Sequence, residues 1–307
     1  MENIGAFAEH LKGKTGRLGE FPTSQKKIRV CDGPCRSNIF LQTFKDGSTK
    51  ETGCKCQQVL KDREIIKVKK ANGFINASRV PFSPHKANLE RFNVDGENGE
   101  PEYDKLFAKK VAKRYIEKFP GDMQKKKDVK RIEKSNLSVE LFNEKHNTDF
   151  SDEIFEESEN IITNLIMMGS PGSGKTMLAS TIFHEIAKLN YNCFFIEATN
   201  FIEILKEGFE DKEKRERLLK FCEDADLLVI DDLGMGFNSG WGTDQFKLLA
   251  DLRQGKFTIY TTNLTEPEFM DSMALHRIYS RMNENATKVI MNFEDKRLKR
   301  GLNHDTD

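Results

Sequence analysis

Residues Ile161 to Thr176 read IITNLIMMGSPGSGKT, and the chain is organised around them. The apolar run Leu165 to Met168 stops at Gly169. Then follows Gly169-Ser170-Pro171-Gly172-Ser173-Gly174-Lys175-Thr176, which fills G-x-x-x-x-G-K-[ST] without a mismatch. Glycines at these places let successive backbone N–H groups turn inward as a nest for phosphate oxygens. Lys175 is placed to reach the β- and γ-phosphates of ATP, and the Thr176 hydroxyl to hold Mg²⁺. A helix starting here adds its positive dipole end to the same anion site. A Gly-rich turn that merely joins a strand to a helix is the bland alternative.

The chain has 307 residues, enough for a sizeable core and more than one average domain. Its apolar and charged fractions, 37% and 32%, describe a globular chain rather than a disordered one. No apolar run approaches the ~18 residues of a membrane span, and the first residues lack a signal-peptide core, so the expected location is cytoplasmic with no membrane partner. Net charge is zero but uneven. Residues 1–150 carry 31 Lys/Arg against 21 Asp/Glu, and the remainder 18 against 28. A basic front half suits nucleic acid or an acidic partner, although solvated surface gives the same imbalance.

Residues 1–25 are polar, with a short helical pattern around Ile4–Leu11. Four cysteines follow, Cys31, Cys35, Cys54 and Cys56, as C-x3-C and C-x-C pairs. Asn38–Phe44 predicts a strand and Lys45-Asp46-Gly47-Ser48 a hairpin turn between the pairs. Bringing the pairs together would make a closed Cys₄ Zn²⁺ site of structural type, which a reducing compartment favours over disulfides. Four unrelated thiols are the alternative. Cys193 and Cys222 fall in predicted core elements and read as buried apolar fillers.

Leu60–Ala71 predicts a basic helix, and Val80-Pro81-Phe82-Ser83-Pro84 breaks it and marks a linker. Tyr103–Phe119 has helical spacing, with Leu106, Val111, Tyr115 and Phe119 near one face. Residues 121–160 are mostly charged and are expected to form a solvent-exposed insertion. The expected division is therefore a zinc-binding, partner-docking module over 1–80, a linker over 81–91, and an ATPase domain over 92–307.

Beyond the phosphate loop, strand and helix alternate. Leu178, Ile182, Phe183 and Ile186 line a helix, Cys193–Ile196 is a strand, and Phe201, Ile204, Leu205 and Phe209 suggest another helix. Leu227-Leu228-Val229-Ile230-Asp231-Asp232 reads as a buried parallel strand ending in paired acids beside the phosphate loop. Asp231 would bind Mg²⁺, and Asp232 would orient or activate the attacking water. Phe257–Tyr260 is the next strand, and Asn263 at its end could hydrogen-bond a γ-phosphate or that water.

In this order and spacing, GSPGSGKT, LLVIDDLG, TIYTTNL and HRIYSRM resemble the AAA+ ATPases of the DnaC/DnaI/IstB group. The likeness runs from about Phe92 to Arg300, interrupted by the insertion over residues 121–160. It implies an α/β AAA+ P-loop fold, a parallel sheet flanked by helices, preceded by the small N-terminal zinc-binding module. Gly169–Thr176 would be Walker A, Asp231 and Asp232 Walker B, and Asn263 sensor I. Arg281 matches the arginine finger, Arg277 lies one turn before it on the same helical face, and Arg297 in NFEDKRLKR matches sensor II. Many AAA+ members carry Glu where this chain has Asp232.

Function by resemblance is ATP-dependent loading of a hexameric replicative DNA helicase onto single-stranded DNA. It implies a homo-oligomer and slow hydrolysis stimulated by assembly or DNA. DnaI-type loaders also carry an N-terminal zinc module that docks on the helicase. Lys206 and Phe201 are candidate contacts to a single strand. Two other classes stay open, an IstB-type transposition helper acting on duplex DNA and a nucleotide-binding adaptor without significant hydrolysis.

Overall fold

The computed structural model describes residues 23–31, 37–53, 56–95, 100–208, 211–234, 237 and 240–293. They fall into two compact units, divided between Ile66 and Lys67. The first holds a three-stranded antiparallel sheet, β1 (Ser24–Val30), β2 (Asn38–Thr43) and β3 (Thr49–Thr52), in the order β1-β2-β3. The hairpin forms at the predicted residues. Asp46 Oδ1 accepts hydrogen bonds from the Ser48 amide and hydroxyl, and Gly47 takes φ +79°. Little of this sheet is covered: among the described residues up to Ile66, only Cys31 and Ile39 are buried hydrophobics.

Helix α1 (Cys56–Ala77) covers the predicted basic helix and extends past the unit boundary. Its last turns belong to the second unit, where Ala71 and Phe74 are buried and Phe74 meets Phe221 edge-on at 4.9 Å. The expected boundary at 80/81 therefore differs from the compact division. The stretch expected as a linker also packs: His184 Nε2 lies 2.7 Å from the Phe82 carbonyl, and Ala87 is buried.

The second unit has a five-stranded parallel sheet in the order β5-β6-β7-β4-β8. The strands are β4 (Asn164–Met168), β5 (Cys193–Glu197), β6 (Leu227–Leu233), β7 (Thr258–Thr262) and β8 (Ala286–Ile290). The inner strands are almost wholly buried because helices cover both faces, and Leu165–Met168 and Leu227–Ile230 are continuous apolar runs. Leu165, Met167, Leu227 and Val229 enter one core with α2 (Tyr103–Ser135) and α5 (Lys175–Ala187). Ile166, Met168, Leu228 and Ile230 enter the other with α6 (Ala198–Glu207), α7 (Lys212–Asp224), α8 (Gly240–Leu252) and α10 (Met273–Asn283). Between β7 and α10 lies the short α9 (Glu266–Met270). Cys193 and Cys222 are buried, and burial pushes the Cys222 thiol up to about 12.

Residues 121–160 are not the exposed insertion that their charge suggests. Helix α2 runs through Pro120 to Ser135, and α3 (Val139–His146) and α4 (Ile154–Glu159) follow it. Met123 joins the first core, while Ile132, Val139, Phe142 and Ile154 form a third. A proline inside a helix costs about 3 kcal/mol. Each fully buried apolar side chain returns roughly 1.5–3 kcal/mol, so anchors beyond the proline offset it. Ser138 caps α3 by accepting from the Leu141 amide. Most of the charges face outward, with Asp128 buried, and the sparse apolar residues set the packing.

Candidate nucleotide site

Gly169, Gly172 and Gly174 take φ values of +143°, +74° and +97°, which bend the chain after β4 into a loop ending at α5. A Cβ on Gly169 would lie 2.3 Å from the Met291 carbonyl oxygen, so only glycine fits there. The segment after β8 supports the loop. Met291 N–H donates to the Met168 carbonyl at 2.7 Å, and the Ser170 hydroxyl donates to the Phe293 carbonyl at 2.7 Å.

Lys175 is the first residue of α5 and is buried. Its ammonium donates to the Gly169 carbonyl at 2.9 Å, the Ser170 carbonyl at 2.8 Å and Asn263 Oδ1 at 2.7 Å. The next residue, Thr176, donates its hydroxyl to Asp231 Oδ1 at 2.9 Å. Thr261 donates to the same oxygen at 2.6 Å. Burial raises the Asp231 carboxyl above the ordinary carboxylate range. The two threonine hydrogen bonds oppose that shift, and nearby Asp232 and Glu197 add to it. A buried carboxylate beside a hydroxyl is an all-oxygen donor set, which fits a hard cation such as Mg²⁺.

Two consecutive residues of a regular strand point to opposite faces, so both acids cannot face one site without a break. The pairing of β6 with β7 shifts register between Ile230 and Leu233, and Asp232 takes φ +54°. This break lets Asp231 and Asp232 share one network. Asp232 N–H donates to Thr261 Oγ1 at 2.9 Å, and Asp232 Oδ1 accepts from Asn263 Nδ2 at 3.0 Å. Lys175 can only donate, which fixes Asn263 with its oxygen toward Lys175 and its nitrogen toward Asp232. Thr261 was missed in the sequence. Its signal is its place near the end of β7, two residues before Asn263.

Lys175, Thr176, Asp231, Asp232 and Asn263 are thus one constellation, and the two α10 arginines are not part of it. The Arg281 carbonyl lies near the start of β4, 3.4 Å from Asn164 Nδ2. Gly169 follows five residues later, about 16 Å along an extended strand. Arg281 Nε donates to Asp251 Oδ1 on α8 at 3.0 Å. Lys247, Asp251, His276, Arg277, Ser280 and Arg281 line one open cavity of about 470 Å³. Cys31 is buried and Cys56 half-buried. Cys35, Cys54 and Arg297, and also Ile4–Leu11 and Phe209, lie outside the described residues. Phe201 is fully buried between the sheet and Phe246, so it cannot contact a nucleic acid strand.

A P-loop strand, an acidic strand, and between them a strand ending in a polar residue that joins both define a P-loop NTPase of the AAA+ class. The chain belongs to the family of IstB-like ATP binding proteins, whose model matches residues 123–303. That match begins within α2, so much of 121–160 is part of the family domain.

Among individual proteins, the chain is 29% identical over 146 residues to the replicative helicase loader DnaC of Escherichia coli K12, covering 46% of this chain and 59% of DnaC. It is 29% identical over 149 residues to the putative ATP-binding protein of insertion sequence IS232 from Bacillus thuringiensis, covering 47% and 59%. With the helicase loader DnaI of Bacillus subtilis the identity is 25% over 142 residues, covering 45% and 43%. The chain thus spans at most 59% of the length of these relatives. The solved DnaC helicase loader aligns with 68% of this chain and 98% of its own, at 21% identity and a TM-score of 0.46.

Proposed function

We propose that this chain is an ATP-dependent loader that places a hexameric replicative helicase on single-stranded DNA, acting in the cytoplasm as a homo-oligomer. The observation that carries the nucleotide part is the bridge Lys175–Asn263–Asp232. It joins the phosphate loop to the acidic strand through one side chain, so occupancy at the loop is felt at Asp232. Bound Mg·ATP supplies the γ-phosphoryl group and the charge that such a switch reads.

Each residue then has a role. The N–H groups of Gly169–Thr176 hold phosphate oxygens, and Lys175 exchanges its carbonyl partners for them. Thr176 and Asp231 hold the Mg²⁺, Asp232 orients or activates the attacking water, and Asn263 fixes both. Arg281, assisted by Arg277, completes the site of a neighbouring copy, because its own phosphate loop lies at the far end of β4. Arg297 acts as a second sensor at the same nucleotide.

The front unit is the partner-docking module. Among the described residues of this unit only Cys31 and Ile39 are buried hydrophobics, a small core for a three-stranded sheet. Zn²⁺ held by Cys31, Cys35, Cys54 and Cys56 would supply the missing stabilisation, and the buried Cys31 beside β2 suits such a site. Metal analysis of the purified full chain should find one zinc, lost when Cys31 and Cys35 become Ser.

The similarity to the IS232 ATP-binding protein equals that to DnaC, which supports a second reading as a transposition helper. Affinity capture with the full chain in ATP separates the two. The replicative helicase should co-purify; a transposase in its place would overturn the loader assignment. Firm ATP binding with no hydrolysis, with or without DNA, would leave only a nucleotide-binding adaptor.

A further inference from the structure

We infer that the outer face of α2 is the surface that holds a single strand of nucleic acid. At its start, Tyr103 and Phe107 are 79% and 42% exposed, and their rings lie nearly parallel, 12° apart with centroids 6.5 Å apart. Aromatic rings on a surface normally pack downward. These stand out in solvent as a two-ring platform.

Lys110, Arg114 and Lys118 continue the same face at four-residue spacing and are all exposed. None of the three has an ion-pair partner among the described residues. The nearby acids are partly engaged: Glu117 lies 3.8 Å from Lys113, and Glu157 accepts from Lys125 at 2.5 Å. Asp122 faces the same hollow. From Tyr103 to Lys118 the stripe runs about 22 Å along the helix.

Beneath it opens a cavity of about 550 Å³, lined in part by Phe107, Val111, Arg114, Lys118, Ile162 and Phe257. Its floor is apolar, its rim carries Arg114, Lys118 and Lys125 against Asp122 and the Lys125-paired Glu157, and Ile162 is 47% exposed beside it. Unpaired bases offer flat faces to stack and a phosphate chain to neutralise, which matches rings followed by cations on one face. A duplex hides its base faces, so it would gain only the charge contacts. The face therefore favours single strands.

The inference rests on the proposed reading of single-stranded DNA as a partner, and one experiment separates the two. Fluorescence anisotropy of labelled oligo(dT), and of a duplex of equal length, is followed with the full chain in ATP over a salt series. The wild-type chain should prefer oligo(dT). Tyr103→Ala with Phe107→Ala should raise its Kd about tenfold or more, with the salt slope unchanged. Lys110→Ala, Arg114→Ala and Lys118→Ala together should lower the slope of log K against log salt by about 2, at about 0.7 per lost phosphate contact.

Neither set should alter ATP binding. If both variants bind oligo(dT) as the wild type does, this face is not the site, while the partner reading survives. If the wild type does not bind oligo(dT) even at low salt, both fail. Variants that keep DNA binding but lose helicase capture would overturn the inference and give the face to a protein partner.

Discussion

Lys175 Nζ donates to Asn263 Oδ1 at 2.7 Å, and through that amide the phosphate-loop cation is tied to Asp232. Incoming phosphates must replace this contact and two backbone carbonyls before Lys175 can serve them. Lys175→Ala should therefore abolish ATP binding, read with a fluorescent ATP analogue. Asn263→Ala should retain binding, since it only releases the lysine, but lose about 10²-fold in hydrolysis. Wild-type affinity in the lysine variant would refute the phosphate-loop assignment.

Asp231 gives a test through stability. Its folded-state carboxyl is raised by burial, so the ionised form is disfavoured in the nucleotide-free fold. For a raised carboxyl, stability is fully present below the unfolded value near 3.9 and is lost as pH climbs through the folded one. The cost is therefore larger at neutral pH than in acid. Asp231→Asn should raise the thermal midpoint there, because it removes the buried charge. The advantage should vanish toward pH 4, and Mg²⁺-dependent nucleotide binding should be lost.

Arg281 offers a test of assembly. Asp251 holds its Nε, which leaves the terminal nitrogens of the guanidinium to point elsewhere. Arg281→Ala should bind ATP normally and hydrolyse it up to ~10³-fold more slowly. Mixing it with Lys175→Ala should restore part of the activity, because each variant supplies what the other lacks. No recovery across a range of mixing ratios would argue against a role in trans.

Arg253 is a structural prediction. Its side chain is fully buried and donates to the Cys222, Ala225 and Phe257 carbonyls and to Thr258 Oγ1, which ties the end of α7 to the start of β7. Burial lowers its pKa to about 10, which still leaves it charged at neutral pH. Arg253→Met should cost about 3 kcal/mol or more in urea unfolding, since it strands several buried carbonyls. A loss under 1 kcal/mol would mean that water replaces the guanidinium there.

The sequence by itself determined the parts of this protein that depend on local chemistry. Gly169 to Thr176 can be read as a phosphate loop because its glycines and lysine act through their own backbone and reach. The apolar run Leu227–Ile230 ending in acids marked β6, since a strand covered on both faces needs continuous apolar residues. The Asp46-Gly47 turn was legible for a similar local reason.

Tertiary structure alone decided the rest. It set how two adjacent acids share one network, because the register break at Asp231–Asp232 depends on pairing with β7. It brought in Thr261, which resembles any strand-end threonine until Asp231 lies 2.6 Å away. It also carried α2 past Pro120 and folded 121–160 into a small core. Composition could not show this, because four apolar anchors among many charges set the packing, and the anchors meet only when three helices are placed. The buried Arg253 belongs to the same class. A single arginine in a sequence carries no sign of the carbonyls that the fold will aim at it.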